Sequence, residues 1–112
     1  MVLDKSVKIH IGDKDYKLCF PIKELFECEK ELNSGNLLTT LSNQPPSIGD
    51  LYIMFTHAIK GGKNDVTDME ELWGNAIDET SMRELAQHIY EAIGKSGVFG
   101  KKILAALPKK KA

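Results

Sequence analysis

From Ser6 to Phe20 the chain alternates between polar and apolar residues. Lys8 and His10 separate Val7, Ile9 and Ile11, and Lys17 and Cys19 separate Tyr16, Leu18 and Phe20. A period of two is that of a half-buried strand. Between the two runs, Gly12-Asp13-Lys14-Asp15 is a polar turn of the kind that joins antiparallel strands. Residues 6–20 are therefore expected to form a β-hairpin with one apolar face. A lone hairpin is marginal in water, so helices or another strand must cover that face.

The period then changes. Pro21 suits the start of a helix, and Ile22, Leu25, Phe26, Glu29 and Leu32 recur at three- and four-residue steps, with Lys23, Glu24, Glu27, Lys30 and Glu31 directed elsewhere. Asn33-Ser34-Gly35-Asn36 ends that helix. Leu37-Leu38-Thr39-Thr40-Leu41 is long enough for a turn or two before Pro45-Pro46 interrupts it. Ser47 is a good N-cap with Asp50 at the third helical position. The helix it opens carries Ile48, Leu51, Tyr52, Phe55, Ala58 and Ile59 on one side, with Ile53 and Met54 off that stripe. An apolar arc this wide marks a central helix, and Gly61-Gly62 stops it. Thr67, with Glu70 three residues on, is expected to cap a helix bearing Met69, Leu72, Trp73, Ala76 and Ile77. Ser81 or Thr80 caps a last one bearing Met82, Leu85, Ala86, Ile89 and Ile93.

These elements predict an α+β domain over residues 5–97, an N-terminal antiparallel hairpin packed on about four helices. Residues 98–112 form a C-terminal tail, in which Ile103, Leu104 and Leu107 suit a short amphipathic helix and Pro108 with Lys109, Lys110 and Lys111 a loose, solubilising end. At 112 residues there is room for one core. The 42% hydrophobic and 28% charged fractions are those of a globular chain. A net charge of −1 gives no overall attraction to nucleic acids or anionic membranes. No apolar run approaches the roughly 18 residues of a membrane span, and no secretory signal follows Met1. Cys19 and Cys28 are too few for a disulfide scaffold and lack the Cys-x-x-Cys spacing of a redox pair. Both are expected to be reduced and semi-buried in a cytoplasmic protein.

The search for chemistry returns no site. His10, His57 and His88 fall on different elements without metal-ligand spacing. Asp65, Asp68, Glu70 and Glu71 miss the calcium-loop pattern, since its sixth and twelfth positions would be Glu70 and Ala76. Acidic residues at the partly positive start of a helix explain them better. Gly61-Gly62-Lys63 follows a helix and precedes Asn64, unlike a phosphate-binding loop. No serine occupies a Gly-x-Ser-x-Gly elbow. In the last helix Glu84 and Glu91 offset Arg83 and Lys95, a poor match for DNA phosphates. No catalytic, cofactor-binding or metal-binding residue is therefore expected, and no cofactor. What remains is adhesive surface. Ile53 and Met54, off the helical stripe, and Val98, Phe99, Ile103 and Leu104 in the tail are the candidate partner-binding residues.

The order of elements is similar to that of the tail assembly chaperones of long-tailed phages, including the related small proteins of prophages and gene transfer agents. The resemblance covers about residues 5–95. Val7-Lys8-Ile9-His10-Ile11-Gly12-Asp13-Lys14-Asp15-Tyr16-Lys17-Leu18 resembles that family's strand–Gly-turn–Tyr–strand start. Ile22-Lys23-Glu24-Leu25-Phe26-Glu27-Cys28-Glu29, with Leu32, resembles its Leu–Glu helix, and Ser47-Ile48-Gly49-Asp50-Leu51 the start of its central helix, which ends here in Gly61-Gly62. The resemblance implies a non-enzymatic protein of the host bacterial cytoplasm, absent from the finished virion. It would bind the tape measure protein and help recruit tail tube subunits during tail morphogenesis. Lys109-Lys110-Lys111 is also compatible with the programmed frameshift by which that family makes a longer form. A small structural tail or neck component is the alternative. Self-association through the hairpin edge is a further expectation, limited by edge lysines such as Lys8 and Lys17.

Overall fold

The computed structural model describes residues 5–42 and 46–97. Two strands, β1 (Val7–Ile11) and β2 (Lys14–Leu18), are followed by helices α1 (Ile22–Glu31), α2 (Leu37–Ser42), α3 (Ile48–Gly61), α4 (Met69–Glu79) and α5 (Met82–Lys95). This is the expected α+β arrangement, with the short Leu-rich stretch present as α2. The expected tail, residues 98–112, lies outside the described residues.

The hairpin pairs Val7 with Leu18, Lys8 with Lys17, Ile9 with Tyr16, His10 with Asp15 and Ile11 with Lys14. Gly12, at φ +66°, takes the first of the two turn positions, where a type II′ turn needs a residue tolerant of positive φ. Cross-strand partners share a face, so Val7, Ile9, Ile11 and Leu18 all point into the core and are buried. Lys8, Lys17, His10 and Asp15 stand on the opposite, exposed face.

The helices begin where short side chains take up free backbone donors. Ser47 accepts from the Asp50 N–H and Ser81 from the Glu84 N–H. At α4 the cap is Asp68, which accepts from the Glu71 N–H, one residue beyond the expected Thr67. Both positions have a glutamate three residues on. The helix that Asp68 caps buries Leu72, Trp73 and Ala76.

Helix α3 is central: α1, α4, α5 and β2 all pack on it. Its buried side chains are Leu51, Met54, Phe55, His57, Ala58 and Ile59. Phe55 and Tyr52 meet Trp73 of α4 in tilted ring contacts, at centroid distances of 4.9 and 5.8 Å. The C-terminal end of α3 lies against the outer edge of β2. The Cys19 N–H donates to the Ala58 carbonyl, and the Asn64 side chain both accepts from the Lys17 N–H and donates to the Lys17 carbonyl. Asn64 thus imitates a neighbouring strand and closes that edge. The approach is close enough to require Gly61 and Gly62. A Cβ on either would stand 2.0 Å from a β2-side carbonyl oxygen, of Cys19 and Lys17 respectively. The pair is therefore there for contact as well as for ending the helix.

Candidate functional site

The expected partner-binding residues are redistributed by the fold. Met54 is fully buried, and Ile53 is half-buried against the core, so both are taken up in the packing of α3 on its four neighbours. Val98, Phe99, Ile103 and Leu104 lie outside the described residues. The apolar surface left over is elsewhere: Ile22 is 55% exposed, Phe26 59%, Leu38 46% and Ile48 65%.

These four residues belong to elements joined around α1. Ile22 and Phe26 are one turn apart on the same face. Glu29, next along that face, accepts from the Leu37 N–H and so tethers the start of α2, which carries Leu38. The Asn33 N–H donates to Asp50 in the first turn of α3, beside Ile48. Full burial of a side chain of this size contributes about 1.5–3 kcal/mol, so a partner covering even part of this face would gain substantially.

The orientation of α1 departs from the sequence reading. The stripe Ile22, Leu25, Phe26, Glu29 and Leu32 was expected to face inward, with Glu24 and Glu31 outward. Of that stripe Leu25 and Leu32 are buried as expected, but Ile22 and Phe26 are exposed, Cys28 is buried, and Glu24 and Glu31 reach toward α3. Their common partner is His57, only 3% exposed. Its Nδ1 lies 2.8 Å from Glu24 Oε1 and its Nε2 2.9 Å from Glu31 Oε2. A carboxylate accepts and does not donate, so both contacts are hydrogen bonds together when both ring nitrogens carry protons. Glu24 and Glu31 lie two helical turns apart, with Cys28 between them on the same side of the helix. These contacts lie on the side of α1 that meets α3, and Phe26 faces solvent. A lone histidine beside an apolar stripe gave no sign of this. The visible clue was two glutamates at a heptad spacing opposite it.

Cys28 responds to the same surroundings. Burial first, and then the negative field of Glu31, Asp50, Glu24 and Glu29, pushes its thiol up to about 12. Cys28 is buried and Cys19 half-buried, both as free thiols. His10, on the exposed face of the hairpin as expected, bonds Asp15 at 2.8 Å, and that hydrogen bond raises its pKa above the ordinary value. Among the described residues no group of histidine, cysteine and carboxylate side chains is placed to hold a metal ion, and no helix is long and apolar enough to cross a membrane. No protein-family model, no curated protein and no solved structure matches this chain.

Proposed function

We propose that the protein works by holding other polypeptides, as a non-enzymatic tail assembly chaperone of a long-tailed phage. On this reading it binds the tape measure protein and helps recruit tail tube subunits while the tail forms. One observation carries the adhesive part of the reading. Helix α1 buries Leu25 and Cys28 and bonds Glu24 and Glu31 to buried His57, while its Ile22 and Phe26 are left 55% and 59% exposed. A fold that leaves an aromatic and an aliphatic side chain in water one helical turn apart has an apolar face available for a partner. Long, aggregation-prone chains are partners of that chemistry. The specific client comes from the similarity in the order and spacing of the elements.

The test is co-expression with overlapping fragments of a tape measure protein. The parent chain is expected to keep at least one fragment soluble, and Phe26→Glu to lose that effect while keeping its helical circular dichroism. Failure across every fragment would refute the assignment. Finding the protein as a stoichiometric part of purified virions would instead support a structural tail or neck component.

A further inference from the structure

The two edges of the hairpin are treated differently. In a hairpin with a two-residue turn, the flanking residues Ile11 and Lys14 form a hydrogen-bonded pair, as do Ile9 with Tyr16 and Val7 with Leu18. The N–H and C=O groups of the alternate residues therefore point away from the hairpin. The contacts agree with this parity on both edges. On β2 the outward groups of Lys17 are taken by Asn64, and Cys19 donates to Ala58. On β1 the Ser6 carbonyl accepts from Lys95 Nζ at one end, and the Gly12 N–H donates to the Glu79 carboxylate at the other. Between these ends lie Lys8 and His10, both exposed. Among the described residues nothing bonds their outward N–H and C=O groups, so each offers one donor and one acceptor to an incoming strand.

A second observation concerns charge. Lys8 stands directly opposite Lys17 on the exposed face. Like charges in that relation are destabilising, and the nearby acidic side chain, Asp15, is engaged with His10 at 2.8 Å. A strand added beside β1 would set its own exposed side chains next to Lys8. A carboxylate there would relieve the repulsion. A second copy of this chain would not. Paired antiparallel through these groups, it would bring Lys8 against its own Lys8 or His10 and supply no carboxylate opposite Lys8.

We propose that the β1 edge between Ser6 and Gly12 is a strand-addition site for an extended acidic segment of a partner protein. Acidic side chains alternate there with apolar ones. The main-chain groups of Lys8 and His10 bind its backbone. Its carboxylates lie beside Lys8, and its apolar residues continue the buried row of Val7, Ile9 and Ile11. The site is separate from the Phe26 face and stands whether or not the partner is a tape measure protein.

The probe is a fluorescein-labelled peptide of alternating valine and glutamate, compared by anisotropy at low salt with the same peptide carrying lysine for glutamate. The glutamate peptide is expected to bind about tenfold more tightly or better. The fold is checked by circular dichroism for every variant. Lys8→Pro removes the outward N–H without touching the β1–β2 ladder and is expected to weaken binding about tenfold or more. Lys8→Glu keeps the backbone groups and is expected to reverse the preference between the two peptides, which keeps the proposal testable should Lys8→Pro fail to fold. Absence of saturable binding, equal binding by Lys8→Pro, or an unchanged preference in Lys8→Glu would each overturn it. So would a dimer in sedimentation equilibrium that Lys8→Pro dissociates, since the edge would then belong to a second copy.

Discussion

Gly61 and Gly62 allow a sharp test of how α3 is joined to the hairpin. An alanine Cβ at Gly61 would lie 2.0 Å from the Cys19 carbonyl oxygen and 2.5 Å from Pro21 Cδ. At Gly62 it would lie 2.0 Å from the Lys17 oxygen and 2.8 Å from Asn64 Nδ2. The obstacles are main-chain atoms of a strand held by β1 on one side and Asn64 on the other, so no rotamer change relieves them. The strand edge must move away by on the order of 1 Å to restore ordinary contact. Overpacking of this kind costs about 1–3 kcal/mol, and the displaced Asn64–Lys17 hydrogen bonds add about 0.5–1.5 kcal/mol each. The expected loss is about 2–6 kcal/mol, a large share of the roughly 5–15 kcal/mol that holds a domain folded. In a thermal scan that is a fall in Tm of about 10–25 °C. Gly74 is the control. It lies inside α4, and nothing stands within 4 Å of its would-be Cβ. There alanine is expected to stabilise by about 0.5–1 kcal/mol through helix propensity alone. The assay is urea unfolding followed by fluorescence of Trp73, which is 9% exposed in the fold. If Gly61→Ala and Gly62→Ala stay within about 0.5 kcal/mol of the parent, the close approach of α3 to β2 is wrong.

Four further outcomes are expected. With a thiol-specific reagent at pH 8, Cys28 is expected to stay unmodified until the protein is unfolded, because its thiol lies near 12 and it is fully buried; mass spectrometry of labelled peptides would show it. His57→Ala is expected to cost about 2–4 kcal/mol in urea unfolding, since it leaves a void and strands Glu24, which is only 20% exposed. Glu24→Gln is expected to cost more than Glu31→Gln, because Glu31 is 57% exposed and water replaces much of its bond. The raised pKa of His10, caused chiefly by its hydrogen bond to Asp15, means that this pair favours the fold fully below the unfolded value near 6.5 and stops doing so as pH rises through the folded value. Its NMR titration midpoint is expected above 6.5 and should fall in Asp15→Asn.

The readable parts of this fold were those governed by local rules. Alternation of Val7, Ile9 and Ile11 with Lys8 and His10 predicts a strand because side chains must alternate across a sheet, and β1 has that burial pattern. Ser47 and Ser81 cap their helices because the free N–H groups of a first turn need an oxygen nearby. Where two such signals overlapped, at Thr67 and Asp68, the local rule did not choose between them, and the structure has Asp68 as the cap. The candidate site was less legible because it depends on partners far apart in sequence. Periodicity alone assigned Phe26 inward and Glu24 outward. The reversal needs His57, an element away, to be worth more to the buried side of α1 than an aromatic ring. Met54 left its expected surface for the same kind of reason: α3 packs on α1, α4, α5 and β2, so its buried arc is wider than the stripe. Asn64 looked like a loop residue, and only the position of β2 gives its amide the task of ending a sheet.

The arrangement of sealed and open surfaces bears on how such a molecule could handle two chains. Reading across the fold, the outward groups of β1 face away from β2, β2 is sealed to α3 by Asn64 and the glycine pair, and α3 is joined to α1 through His57. The exposed row of Ile22 and Phe26 lies on α1 away from that joint. The unsatisfied main-chain groups and the unsatisfied apolar face are thus separated by the best-packed part of the molecule, and they ask for different chemistry. A sheet edge flanked by lysines selects an extended, acidic segment, whereas an exposed phenylalanine and isoleucine one turn apart suit an amphipathic helix. Occupying one leaves the other uncovered. On the proposed function, which requires a long client and a separate subunit to be held together, this is the property that matters. It requires that Phe26→Glu and Lys8→Pro each abolish binding of one partner and leave the affinity for the other unchanged. Loss of both partners in either variant would mean a single shared surface and would refute the division.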